Sequence, residues 1–275
     1  MLRSVLIVSA LACAVALTGC GKATAPTVSS MDSMTMSSDP MPAGNGTQSS
    51  WTGYTLVPTA TTPTQFAFHI TGPDGKPVTT FEPDQTKLMH VYLIRDDLSG
   101  YQHVHPTMAT DGTWTADLAT LTPGAYRAYT TFTTPDASGK PIAFALSVPI
   151  TVPGTATTTP LPAPAPSTTV DGYTLTLSGE PMAGMADSMS LHVAKNGQPV
   201  TDLQPYLDTY AHLSAFHAGD LAFAHLHPGG AVDGDHGGPD LTFDAEFSAS
   251  GTWRVYVQFQ TGGVLHTAGF TVAVG

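Results

Sequence analysis

The second half of this chain repeats its first half, and any fold must accommodate that duplication. Gly53-Tyr54-Thr55-Leu56 is answered by Gly172-Tyr173-Thr174-Leu175, and Gly75-Lys76-Pro77-Val78-Thr79 by Gly197-Gln198-Pro199-Val200-Thr201. His103-Val104-His105-Pro106 is answered by His225-Leu226-His227-Pro228. Gly124-Ala125-Tyr126-Arg127-Ala128-Tyr129 is answered by Gly251-Thr252-Trp253-Arg254-Val255-Tyr256. Landmarks recurring in the same order indicate an internal duplication. Each copy has about 100 residues, enough for one small hydrophobic core. The only two cysteines, Cys13 and Cys20, precede both copies. Disulfides, thiolate nucleophiles, cysteine zinc sites and blue-copper centres are therefore excluded from the repeats.

Each copy reads as short strands between turn signals. In the first, Gln65–Ile70, Leu88–Arg95, Gly100–His105, Thr113–Leu118, Tyr126–Phe132 and Ala143–Thr151 are rich in aromatic and β-branched residues. Gly72-Pro73-Asp74-Gly75, Asp96-Asp97, Asp111-Gly112 and Pro123-Gly124 separate them. Turns at this spacing predict an all-β chain of two tandem immunoglobulin-like, Greek-key β-sandwich domains. Val200–Tyr210 is the one stretch that reads as a helix.

The amino terminus sets the expected compartment. Arg3 precedes an uncharged apolar run from Val5 to Leu17, too short to span a bilayer and of the size of a signal-peptide core. It ends in Leu17-Thr18-Gly19-Cys20, which resembles the bacterial lipobox. That resemblance implies cleavage after residue 19, acylation of Cys20, and a lipid-anchored protein on the extracytoplasmic face of a membrane. Residues 20–50, made mostly of Ser, Thr, Gly, Pro and Met, read as a flexible tether. Residues 51–152 form the first repeat and 168–275 the second. Residues 153–167 contain Pro160, Pro162, Pro164 and Pro166 and read as a semi-rigid spacer. Removing residues 1–19 leaves 8 basic and 21 acidic residues, a formal charge of −13. So acidic a surface argues against nucleic-acid partners and is compatible with attracting cations.

The chain has eleven histidines, and eight of them recur in register: His69, His90, His103 and His105, then His192, His212, His225 and His227. On a strand, residues i and i+2 share a face, so His103 and His105 project together, as do His225 and His227. Folding each hairpin about its centre puts His90 nearly opposite His105, and His212 nearly opposite His227. Three imidazoles can thus converge from two adjacent strands, a donor set suited to Cu(II) or Zn(II). His266, on the expected last strand, offers the second copy a fourth ligand, and its counterpart in the first copy falls near Phe144. The second copy is therefore the expected better site. His236 lies in a nearby loop, and His69 and His192 face away from the expected core. Met31, Met34, Met36 and Met41 in the tether are soft donors suited to Cu(I), which tilts the expected metal from zinc to copper.

The stretch from Asp202-Leu203-Gln204-Pro205-Tyr206-Leu207 through His212 to Gly219-Asp220-Leu221-Ala222-Phe223-Ala224-His225-Leu226-His227-Pro228 resembles a pattern in secreted actinobacterial proteins. So does Tyr256-Val257-Gln258-Phe259-Gln260 with His266-Thr267-Ala268. Such proteins are similar to extracytoplasmic YtkA-like and copper-resistance-type sandwiches. The resemblance covers most of the second copy and implies fold and compartment more than mechanism. His103-Val104-His105 is also similar to the copper strand of Cu/Zn superoxide dismutases. The first copy lacks any further histidine after His105, and there is no cysteine for their disulfide. With no nucleophile, phosphate-loop or dinucleotide motif, no enzymatic activity is expected. The expectation is a membrane-anchored copper-binding lipoprotein for metal storage, delivery or tolerance, working with another envelope metal-handling protein. The alternative is a non-catalytic envelope interaction module whose histidines are structural.

Overall fold

A computed structural model of the chain describes residues 45–230, 232–234 and 236–275, with the backbone alone for His225, His227 and Pro228. The expected leader, Cys20 and Met31, Met34, Met36 and Met41 of the expected tether lie outside the described residues. Among the described residues there is no helix. The first repeat comprises β1 (Ser50–Trp51), β2 (Tyr54–Thr62), β3 (Gln65–Thr71), β4 (His90–Arg95), β5 (Gln102–Val104), β6 (Thr107–Met108), β7 (Trp114–Asp117), β8 (Gly124–Pro135) and β9 (Pro141–Val152). The second comprises β10 (Ser167–Val170), β11 (Tyr173–Ser178), β12 (Ala186–Lys195), β13 (Gln198–Pro199), β14 (His212–His217), β15 (Phe223–Pro228), β16 (Asp240–Glu246), β17 (Gly251–Thr261) and β18 (Val264–Val274).

In the first repeat a sheet in the order β1-β2-β3-β7-β6 faces one in the order β5-β4-β8-β9. Every pairing is antiparallel. The second repeat keeps this arrangement, with one difference. There β15 pairs with β14 and then, from His227 onward, with β16, joining the two sheets into one path. In the first repeat the same passage is broken between β5 and β6 at His105-Pro106. All six expected strands are present, and β8 and β9 run longer than expected. The nine-residue β2 goes beyond the expectation because Pro58 interrupts its pattern. The register slips beside Pro58, and such a bulge spares a proline its missing donor. Val200–Tyr210 is not helical. It is held by isolated bridges and by a turn whose central Leu207 and Asp208 both have φ of 57°.

Each sandwich has its own core. Phe66, Phe68, Trp114, Phe132 and Phe144 anchor the first, and Phe243, Phe247, Trp253 and Phe259 the second. A third buried cluster belongs to neither alone: Tyr92, Ile94, Leu98 and Tyr129 meet Phe216, Leu221, Phe223 and Tyr256. It forms because β4 is buried on both faces. Val91 and Leu93 point into their own sandwich, while Tyr92 and Ile94 point at the other repeat. In β14, Leu213 and Ala215 face inward and Phe216 faces the first repeat. Strands buried on both faces lose the apolar–polar alternation of a half-exposed strand.

The contact is nearly two-fold symmetric, in the manner of a homodimer interface between two copies of one domain. Tyr129 donates its hydroxyl to the Leu221 carbonyl, and the equivalent Tyr256 donates to the Leu98 carbonyl at 2.7 Å. Leu98 and Leu221 hold matching left-handed φ values of 61° and 59°, uncommon for a non-glycine residue. Tyr101 stacks on Tyr256 with ring centroids 4.1 Å apart, and its equivalent Phe223 packs on Tyr129 at 5.5 Å.

Two expected free segments are part of this body. The proline-rich 153–167 stretch is pinned rather than a bare spacer. Arg95 donates to the Thr157 carbonyl, Thr159 N–H to Asp97, and Ala165 N–H to the Thr271 carbonyl. Asn45–Ser50, expected to belong to the tether, lie against the fold. Arg127 donates to the Thr47 carbonyl, Ser147 N–H to the Gln48 carbonyl, and Phe223 N–H of the second repeat to the Asn45 carbonyl.

Replacing Tyr256 by Phe leaves the buried Leu98 carbonyl without its donor and is expected to cost about 1–3 kcal/mol. Urea denaturation should show this loss, and Tyr129→Phe should match it if the contact is as symmetric as its geometry.

Candidate metal centre

His90 is the first residue of β4, His103 lies on β5, and His105 follows just past its end. The register pairs Tyr92 with His103 and Val91 with Val104, so one further step opposes His90 and His105. The hairpin thereby brings the three rings together. The His105 ring stands nearly perpendicular to the other two, 4.9 Å from His90 and 4.8 Å from His103 between centroids. One nitrogen from each of the three lies within 4.8 Å of the others, so the group could hold a metal ion.

The outer nitrogens decide what the inner ones offer. His90 Nε2 lies 3.1 Å from the Asp84 carbonyl, an acceptor that requires the N–H on that nitrogen. His103 Nδ1 lies 2.7 Å from Gln258 Oε1, and the Gln258 amide nitrogen is directed at Thr267 Oγ1 at 3.5 Å. With the outer nitrogens protonated, His90 Nδ1 and His103 Nε2 turn acceptor lone pairs toward each other across 3.0 Å. In that tautomer pair, a cation beside the two lone pairs would relieve their repulsion. Two nitrogens bonded to one ion at ~2.0–2.1 Å sit roughly 3 Å apart. A proton is the poorer candidate, since burial pushes the His90 pKa down to about 4. Burial, with the nearby His90 and Lys87, pushes His105 down to about 3, and its buried Nε2 has no hydrogen-bond partner. His90 and His105 are therefore held in the neutral, ligand-competent form at ordinary pH.

The surroundings fix the rings further. Asp84 and Lys87 close a turn whose central residues Gln85 and Thr86 have φ of 44° and 69°. Such values are costly for a β-branched residue, and the same strained turn recurs at Leu207-Asp208 ahead of His212. Tyr92 stacks on His103 at 4.3 Å and reaches His212 Nε2 with its hydroxyl at 3.2 Å. His212 in turn stacks on His103 at 4.7 Å and lies parallel to His90 at 5.9 Å, beside the pseudo-two-fold axis.

The second copy does not gain the fourth ligand expected of it. His266 bonds Asp171 through Nδ1 (2.8 Å) and Thr261 through Nε2 (3.0 Å). Its ring packs on Tyr173 and Phe259 as Phe144 packs on Tyr54 and Phe132 in the first copy. It is thus a core residue, and the ground for preferring the second copy falls away. His212 sits at the inter-repeat face, and the register places His225 opposite Ser214. The side chains of His225 and His227 lie outside the described residues. His236 is exposed in its loop, and His192 pairs with Asp240 at the surface. Residue spacing did not reveal Asp84, Tyr92 or Gln258. The Asp84 turn carries no glycine or asparagine to announce it, and the other two act through a contact between repeats.

Fold and site together define a tandem β-sandwich protein that presents a partly buried histidine cluster where its two repeats meet. The chain belongs to the family of a domain of unknown function, DUF8832, whose profile matches residues 44–150 and again 168–275. That family is what the match supports, rather than the YtkA-like or copper-resistance groups that the motifs resemble. No curated protein shows significant similarity to the sequence. Among solved structures, the chain is similar to domains 4 and 5 of the S-layer protein SbsC, at 10% identity and a TM-score of 0.25, over 76% of this chain and 82% of that one. It is similar to InvD of Yersinia pseudotuberculosis at 13% identity and a TM-score of 0.23, over 82% of this chain and 58% of InvD. A DUF3823 family protein from Bacteroides uniformis matches at 13% identity and a TM-score of 0.20, over 73% and 94% of the two chains. Similarities this weak transfer nothing about function.

His266→Phe installs the ring that the first repeat already carries at this place. Metal titration of this variant should reproduce the wild-type curve, and a changed affinity would put His266 back among the ligands.

Proposed function

We propose that this protein is a non-catalytic, extracytoplasmic metal-binding lipoprotein that holds copper at His90, His103 and His105 for storage, delivery or tolerance. The observation that carries the reading is the convergence of three imidazoles, with His90 Nδ1 and His103 Nε2 3.0 Å apart and one nitrogen of each ring within 4.8 Å of the others. Such a set of borderline nitrogen donors suits Cu(II) and Zn(II). Copper is the choice because the tether adds Met31, Met34, Met36 and Met41, thioethers that suit Cu(I). His212, His225 and His227 repeat the ligand spacing and form the candidate second set. The lipobox-like Leu17-Thr18-Gly19-Cys20 supports anchoring through Cys20 at the outer face of a membrane. An exported module of this kind would exchange its ion with another envelope metal-handling protein.

One observation favours a structural role instead: His90, His103, His212 and Tyr92 are stacked nearly parallel, as packed rings would be. Metal titration separates the two readings. Cu(II) at 100 times its dissociation constant should stabilise the folded chain by about 2.7 kcal/mol, which for a body of this size raises the melting temperature by roughly 5–10 °C. His90→Ala, His103→Ala and His105→Ala should each abolish the shift. Equal shifts in wild type and all three variants would leave the histidines as packing residues.

A further inference from the structure

The three ligands come from the first repeat, but their support does not. We infer that the metal centre is a composite of both repeats, in which Gln258 of the second repeat is a positioning residue that holds His103 in its ligating tautomer. Binding of a divalent transition-metal ion is then coupled to docking of the two sandwiches. This inference rests on the metal-site reading above.

A metal-bound imidazole needs its second N–H held by a carbonyl or carboxylate, which fixes the tautomer and raises the basicity of the ligating nitrogen. His90 finds that acceptor within its own repeat, at the Asp84 carbonyl. His103 finds it across the boundary, at Gln258 Oε1. Gln258 is well placed for this task. It is only 4% exposed, and it sits on β17 directly opposite His212 of β14. The equivalent position in the first repeat, opposite His90, is Thr131, which has no amide to offer, so the support runs one way.

Removing the acceptor has a definite chemical consequence. Without the Gln258 acceptor, the tautomer of His103 with its proton on Nε2, donated to His90 Nδ1 across the same 3.0 Å, gains ground. That internal hydrogen bond satisfies both rings and competes directly with the ion. Gln258 thus favours the His103 tautomer whose Nε2 carries a lone pair toward His90. Any motion that parts the repeats withdraws it and lets the histidine pair close on itself.

The test compares the full chain carrying Gln258→Leu, Gln258→Asn, Gln258→Glu or His103→Ala with wild type, using Zn(II) and Cu(II) alone as probes. Gln258→Leu should weaken binding by about 10–100-fold, the usual effect of losing such an outer partner, while Gln258→Glu, which keeps an acceptor, should retain it. If the buried leucine prevents folding, Gln258→Asn carries the test. It stays polar but falls one methylene short of His103 and should lose affinity likewise. Nitrogen NMR of the metal-free protein should show His103 protonated at Nδ1 in wild type and at Nε2 in the leucine or asparagine variant, a change that a merely structural glutamine would not produce. Wild-type affinity in those two variants, with binding lost in His103→Ala, would overturn the composite centre and leave the site reading intact. Wild-type binding by His103→Ala would sink the site reading and this inference together.

Discussion

Two sheets packed face to face, each buried on both sides, are the constraint on which the rest of this molecule depends. A sheet of a lone sandwich turns one face to water and alternates apolar with polar residues. Here the outward faces of β4 and β14 carry Tyr92, Ile94 and Phe216, and the contact between repeats buries them. The cross-repeat hydroxyls of Tyr129 and Tyr256 are aimed at carbonyls of the strained Leu98 and Leu221 turns. A buried carbonyl without a donor is costly, so these pairs specify register as well as holding the halves together. The pinned proline-rich segment and the Asn45–Gln48 segment lie against the sheets through backbone and arginine hydrogen bonds.

The histidine cluster follows from this geometry. On an exposed sheet face, His90 would be solvated and would titrate near its ordinary range. At the meeting of two sheets it is fully buried and its charged form is disfavoured. Its outer nitrogen is served by its own repeat and that of His103 by the other. Tyr92 does two jobs at once, stacking on His103 and reaching His212 across the boundary. One hairpin brings the imidazoles together, and the neighbouring repeat covers and orients them.

The duplication, the all-β class, the strand segments of the first repeat and the His90/His103/His105 grouping were legible in the sequence. Each depends on local rules: turn residues, strand period and hairpin register act over a few residues and leave a pattern in the chain. Misreadings came where local rules compete with tertiary ones. Val200–Tyr210 has helix-like spacing but is captured by bridges to other strands, Leu203 to Gly237 and Gln204 to Gln260. His266 carries metal-ligating chemistry but fills the place of Phe144, satisfied by Asp171 and Thr261.

The sequence by itself determined two copies of one disulfide-free β unit and which strand face His90 and His103 occupy, because a period of two leaves a side chain no choice of face once its strand forms. Only the tertiary structure decided that the outward faces of the two copies meet, that Gln258 of one serves His103 of the other, and that burial keeps His90 and His105 neutral. Those outcomes depend on contacts between residues as far apart as 155 positions. Complementarity between two folded surfaces leaves no periodic trace along the chain.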